Sequence, residues 1–311
     1  MGALRRERVS TPGGIALAAG RPVRTRGGRH GLVGGIAAHP LFRHPLLIGF
    51  AWFMFYPLAW MVTASLRPDA AINNFSLWPG RDFTLANYAR AWQGVAGVTF
   101  VRLFLNSLVV AAATVAGNLL SCAMAAYAFS RIDFKFRGTL FSIMLVTLMV
   151  PYHAVLIPQY LMFRQFHWLN TFLPLIVPKL LATDAFYIFL LTQFFRSIPT
   201  ELDQAAHIDG AGHLRIFCTI ILPLSVPALA TAAIFSFIHS WNDFFAPLVY
   251  LTRTANFTLP LGLRAVGDSS AESAFGALFA MSVLSLLPVI GIFIAFQRLL
   301  VEGIATTGMK G

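Results

Sequence analysis

Two groups of polar residues interrupt apolar runs and could do chemistry there. Asp184 lies 12 residues before Arg196 in the run Phe172–Phe195, and Lys179 lies five residues before Asp184. A carboxylate in such a run is costly without a partner or a polar cavity to face. It could accept hydrogen bonds from the hydroxyls of a polar ligand in such a cavity. It could instead pair with Lys179, although i,i+5 is a poor spacing on one helix face. The second group is Trp241-Asn242-Asp243. An indole can stack on the flat face of a ligand ring, while Asn and Asp supply donors and acceptors. Packing or interfacial anchoring is the favoured reading of Trp241, with Asn242 and Asp243 bonding to neighbouring helices. His153 and His239 are isolated and read as packing or hydrogen-bonding residues.

The third group, Ser197–Pro223, is the most charged interruption in the C-terminal two-thirds of the chain. Thr200 can cap a helix, with Pro199 beside it and Glu201 and Asp203 in the first turn. Leu202, Ala205 and Ala206 fall on one face at helical spacing, and Gly210 offers a stop. Small residues and a glycine make a surface that another protein can approach closely. None of this is catalytic. The sequence has no Gly-rich phosphate loop of the Walker type, and no spaced set of Ser, His and carboxylates suggests hydrolysis or metal binding.

The elements that position these groups are membrane helices. A chain of 311 residues that is 57% hydrophobic and 11% charged is too apolar for a soluble globule. Uncharged or nearly uncharged runs at Leu46–Leu66, Leu103–Ser130, Gly138–Phe163, Phe172–Phe195, Leu224–Leu251 and Ala274–Gln297 are each long enough to span a hydrocarbon core. The third carries Pro151 and Pro158 and is expected to be bent or broken. The net charge is +11, but the basic residues are not gathered around aromatic platforms, which argues against nucleic acid. Eight of the 23 basic residues lie within residues 1–44, which read as a flexible basic cytoplasmic tail; residues 45–311 form the six-span domain. With that tail inside, fifteen basic residues lie inside and seven outside, so 197–223 faces the cytoplasm between spans four and five. Cys122 and Cys218 are expected to remain unpaired.

Residues Gln204-Ala205-Ala206, then Gly210 after three intervening residues, then Ile220-Ile221-Leu222-Pro223 after nine more, resemble the signature of bacterial ABC-importer permeases. That signature is Glu-Ala-Ala, Gly, Ile-x-Leu-Pro at the same spacings. Pro199, Glu201, Leu202, Asp209, Gly210 and Ala211 resemble the flanks of the carbohydrate-importer branch. Pro57-Leu58-Ala59-Trp60, Leu85/Asn87/Tyr88, Trp241-Asn242-Asp243 and Gly308-Met309-Lys310-Gly311 look like that branch too. One position departs: Gln204 replaces the signature glutamate and weakens a charge-assisted contact there.

The resemblance, closest to the smaller permease of maltose-type importers, implies an all-α polytopic fold with six spans and a cytoplasmic coupling helix. It implies a multi-pass protein of the bacterial plasma membrane with both termini cytoplasmic. This chain would be no enzyme and bind no cofactor, ATP and Mg being held by a partner ATPase dimer. The other implied partners are a second permease and an extracytoplasmic solute-binding protein. Coupling would rest on Glu201, Leu202, Gln204, Ala205, Ala206, Asp209, Gly210, Ile220, Leu222 and Pro223, and the solute path on Asp184, Trp241, Asn242 and Asp243. The outer stretch Thr252–Ser273 is long for a link, and the matching loop in maltose-type importers reaches into the binding protein. The rival class is a stand-alone secondary carrier or channel, which needs neither the signature nor an ATPase.

This topology has a direct check. In sealed cells, Gly80→Cys and Ala265→Cys should react with an impermeant maleimide, and His207→Cys should not. Labelling at 207 would overturn the orientation.

Overall fold

The computed structural model describes residues 40–72, 83–269 and 275–308, with no account of side chains before His44, at Ser269 or beyond Gln297. Most of the basic tail, the Trp78-Pro79 segment, position 80 and Met309–Gly311 lie outside the described residues. The chain divides into two units, 1–55 and 56–311. In the first, the described part is the beginning of helix α1 (Pro40–Ser65), whose side chains from His44 to Phe55 are exposed.

The second unit is helical, with no strand among the described residues. After α1 come α2 (Ala86–Gln93) and the 32-residue α3 (Phe100–Arg131). At about 1.5 Å per residue, α3 is roughly 48 Å long, more than a hydrocarbon core requires. It is uncharged from Leu103 to Ser130 and contributes to three hydrophobic clusters. In the first, Cys122, Ala126 and Tyr127 meet Ile188, Leu191, Phe195, Ile216 and Ile221. In the second, Leu103 and Ala111 meet Phe237, Trp241, Ala280 and Met281. Val110 joins Leu156, Phe163, Tyr250 and Leu261 in the third. α3 is the spine.

Several of the remaining helices are broken, one of them where proline dictates. α4 (Arg137–Thr147) and α5 (Tyr152–Gln165) meet at 99°. Proline disfavours helical backbone at the residue before it, and Pro151, at φ −61° and ψ 126°, ends the break as the residue preceding α5. The expected bend is therefore present, at Pro151 rather than Pro158. α6 (Leu173–Leu180) and α7 (Ala185–Ser197) occupy the expected fourth run, separated by a kink in which Ala182 takes φ +53°. α6 can approach α3 closely because Gly117 has no side chain: a Cβ there would lie 3.2 Å from the Lys179 backbone carbon.

Next come α8 (Glu201–Ile208), α9 (His213–Leu224) and α10 (Val226–Trp241), the last two meeting at 79°. α9 widens into a π turn over Phe217–Ile221, and the Leu222 N–H reaches back to Phe217 O. Pro223, which has no N–H to give, follows at once. The expected fifth run, Leu224–Leu251, is not one helix. It stops at Trp241 and resumes as α11 (Phe245–Tyr250). Among the described residues, four helices are long and apolar enough to cross a membrane, or up to six if each bent pair is one span.

The outer stretch expected to be a long loop is largely fixed. α12 (Leu259–Ser269) buries Leu259, Leu261 and Val266, and α13 is Phe275–Gly308. Arg102 Nε and Asn106 Nδ2 both donate to Ala255 O, and Asn106 also to Phe257 O. Asn170 Oδ1 accepts from the backbone N–H groups of Thr252 and Arg253. Asn256 Nδ2 donates back to Asn170 O. Residues 270–274 lie outside the described residues.

Candidate functional site

Two regions gather the chemistry, both where helices end or break. The first is α8 and the turn after it. Thr200 precedes α8 without a side-chain capping bond, contrary to expectation, because its backbone is already helical at φ −73° and ψ −18°. The stop is as the sequence required. Gly210 takes φ +78°, its N–H donates to His207 O at 3.0 Å, and the Ala211 N–H donates to Ala206 O at 2.9 Å. Those are the two hydrogen bonds of a Schellman motif, with Gly210 in the left-handed position.

The expected common face of Leu202, Ala205 and Ala206 is split. Glu201, Leu202, Gln204, Ala205 and Asp209 are exposed, whereas Ala206 is half-buried against the first core cluster together with Ala211. Leu202, Ile208 and Leu214 are 41%, 88% and 74% exposed. Further on, Ile220 and Leu222 are half-buried and lean on the same cluster, while Pro223 is exposed.

The inner side of α8 is held by a residue that spacing alone did not single out. Arg131, the last residue of α3, has a side chain only 3% exposed. Its Nη2 donates to Phe195 O at 2.8 Å and Ile198 O at 2.6 Å, at the end of α7. Its Nε lies 3.2 Å from Asp203 Oδ2 in α8, an ion pair whose geometry falls short of a hydrogen bond. Nearby, the Tyr127 hydroxyl is 3.3 Å from His213 Nδ1. The available signal was slight: Arg131 is the first charge after a long uncharged run, and Asp203 directly precedes Gln204.

The second region lies where α6 breaks from α7 and α10 from α11. Lys179 Nζ contacts both Asp184 oxygens, at 2.9 and 3.0 Å, with the two side chains 26% and 23% exposed. The i,i+5 spacing that fails on one continuous helix succeeds because the chain turns between them at Ala182. Trp241 is buried, stacked on Phe237 with centroids 5.4 Å apart, and donates from Nε1 to Ser285 O at 3.1 Å. It is a packing residue with no free ring face. Asn242 is exposed and its amide donates to Ile238 O, while Asp243 Oδ1 accepts from the Ala246 N–H. Asp243 lies within electrostatic reach of Lys179, Tyr152 and Tyr250, and Tyr152 within reach of Asp184. The two breaks, with Tyr152 at the start of α5, thus set one amine, two carboxylates and two phenols within electrostatic reach of one another as a polar neighbourhood.

Comparison with known proteins identifies the scaffold. Residues 117–306 match the family described as binding-protein-dependent transport system inner membrane component. The chain belongs to that family. This binding-protein-dependent permease is 34% identical over 278 residues to the arabinooligosaccharides transport system permease protein AraQ of Halalkalibacterium halodurans, covering 88% of this chain and 98% of AraQ. It is 30% identical over 256 residues to the trehalose/maltose transport system permease protein MalG of Thermococcus litoralis, covering 82% and 91% of the two chains. Among solved structures, a bacterial ABC transporter involved in the import of the acidic polysaccharide alginate contains a chain that superposes with TM-score 0.74 at 25% identity. That match covers 83% of the permease described here and 95% of its counterpart.

The Lys179–Asp184 pair gives a test within this permease. Removing one partner strands the other charge, so Lys179→Met should destabilise by on the order of 1–3 kcal/mol, less than a fully buried pair because both groups are partly exposed. Lys179→Met/Asp184→Asn should recover much of the loss. A thermal scan of the detergent-solubilised protein reads both; a double variant no more stable than Lys179→Met would discount the pair.

Proposed function

We propose that this chain is a membrane-spanning permease of a bacterial carbohydrate ABC importer, working as one of two permeases above an ATPase dimer. In this reading each bent pair is one span. Six spans then place both termini and the α8 turn in the cytoplasm, with the membrane being the bacterial plasma membrane. The observation that carries the reading is the two-sidedness of α8. Its inner side is tied to the first core cluster, while Leu202 and Ile208 stay exposed in a segment too polar to lie in lipid. Large apolar groups held out beside Glu201, Gln204 and Asp209 suit a protein groove. The family name and the carbohydrate-importer relatives support an ATPase as its occupant and an external solute-binding protein as a further partner.

ATP and Mg would reside on that ATPase, and this chain would bind no cofactor. Closure of the ATPase dimer would move α8, and with it the spans, between inward-open and outward-open states. The solute path would pass the polar neighbourhood of Lys179, Asp184, Asn242 and Asp243, whose hydrogen-bonding groups suit sugar hydroxyls. With Trp241 buried in the core, stacking on its ring has no place in that path.

The test combines purification with uptake. The permease should bring down its ATPase and sister permease from membranes, and the reconstituted complex with binding protein should import at least one of labelled maltose, trehalose and arabinotriose. Failure to retain an ATPase, or no import of any of the three, would overturn the reading. Gly210→Val sharpens it. A Cβ at φ +78° meets open space in this chain, so the substitution acts through left-handed strain of about 1–2 kcal/mol. That is enough to shift a docking equilibrium by roughly tenfold. We expect Gly210→Val to pair with its sister permease yet lose the ATPase and uptake, and Gln204→Ala to do much less.

A further inference from the structure

We infer that Arg131 is the positioning residue through which movement of α8 passes into the membrane-spanning helices, a role that rests on the importer reading above. Three observations converge on it. Arg131 is the terminal residue of α3, the helix that lines all three core clusters. Its guanidinium holds the Phe195 and Ile198 carbonyls at the end of α7, where a cation is favoured; the Phe195 carbonyl also accepts from the Ile198 N–H. The same guanidinium pairs with Asp203 on the inner side of α8. One buried side chain therefore touches three helices, and only Pro199 and Thr200 separate Ile198 from α8.

Other contacts at α8 are less directional: the His207 ring meets the His213 ring edge-on, with centroids 5.1 Å apart. Ala206 and Ala211 meet the core through apolar surfaces, which resist sliding weakly because dispersion has little directionality. A guanidinium fork fixed on two carbonyls and facing a carboxylate has defined directions and five donors in one plane. A pull on the exposed side of α8 is therefore transferred through Asp203 to α3 and α7 together. α7 carries the displacement onward, because its other end begins at Asp184, the residue paired with Lys179. The transmitted motion thus links the docking face to the polar neighbourhood through a continuous physical connection.

The experiment uses the full complex and whichever labelled sugar the unaltered complex imports in the panel above. The readout is sugar imported per ATP hydrolysed, alongside retention of the ATPase on purification. Arg131→Met should retain the ATPase and hydrolyse ATP, yet import about tenfold less sugar per ATP. Asp203→Asn should shift the ratio in the same direction by less, and the double variant should be no worse than Arg131→Met, since the two groups act as a unit. Arg131→Lys, which keeps the charge but lacks the planar fork, should fall in between. An unaltered ratio in Arg131→Met, or additive losses in the double variant, would overturn the inference. So would loss of the ATPase from both single variants, which would make the contact a requirement for shaping α8. If Arg131→Met fails to insert, Asp203→Asn decides: a lowered ratio with the ATPase retained supports transmission, and an unaltered ratio overturns it. An unaltered complex that holds no ATPase and imports no sugar would instead remove the importer reading itself.

Discussion

A guanidinium withdrawn from water has to be held by the protein around it, and Arg131, its side chain 3% exposed, is held by two carbonyls that accept from Nη2 at the end of α7 and by the Asp203 carboxylate paired with it in α8. The cost of desolvating such a charge is several kcal/mol, recovered only when the partners sit in good geometry. That requirement fixes more than one side chain. α7 must end where its last carbonyls reach Arg131, and α8 must begin close enough for Asp203 to approach. Pro199 and Thr200 leave little slack between them. The first core cluster, built from α3, α7, α9 and α10, packs beside this corner.

A second constraint comes from the apolar surroundings of the spans. Backbone groups freed at a helix break have no water to turn to and must find protein partners. At the α6–α7 kink, Ser121 Oγ donates to Lys179 O and Thr183 Oγ1 to Pro178 O. At the α10–α11 break, Asp243 accepts the Ala246 N–H. The breaks that cost backbone hydrogen bonds are also the places where charged side chains can be accommodated. Polar function and helix interruption are therefore coupled: a continuous α6–α7 helix would separate Lys179 from Asp184 by more than a turn.

Much of this was legible in the sequence, but unevenly. Pro151 announced the 99° bend because proline acts locally on the residue before it. Gly210 announced the left-handed stop for the same local reason. The faces of α8 were not legible. Helical periodicity places Leu202, Ala205 and Ala206 near one another, yet it cannot say which side the rest of the chain will cover. Reading Lys179 and Asp184 as a poor pair presumed an unbroken helix, an assumption that Ala182 at φ +53° undoes. Leu224–Leu251 looked like one span because its apolar run is continuous, whereas the chain leaves the helix at Asn242. Arg131 escaped notice because its partners are two backbone carbonyls and a carboxylate more than sixty residues away. Backbone carbonyls have no sequence signature.

The departure at Gln204 follows from the same division of α8. A side chain on the exposed face can exchange carboxylate for amide without disturbing the chain's own packing, because nothing buried depends on it. Asp203, one residue earlier and turned inward, has no such freedom: its charge answers Arg131. Adjacent positions on one short helix thus carry opposite constraints. The outer one is set by whatever partner docks there, and the inner one by the electrostatics of this fold. A partner that had relied on a carboxylate at 204 would need a compensating change on its own surface, whereas a change at 203 could be compensated only within this chain, at Arg131.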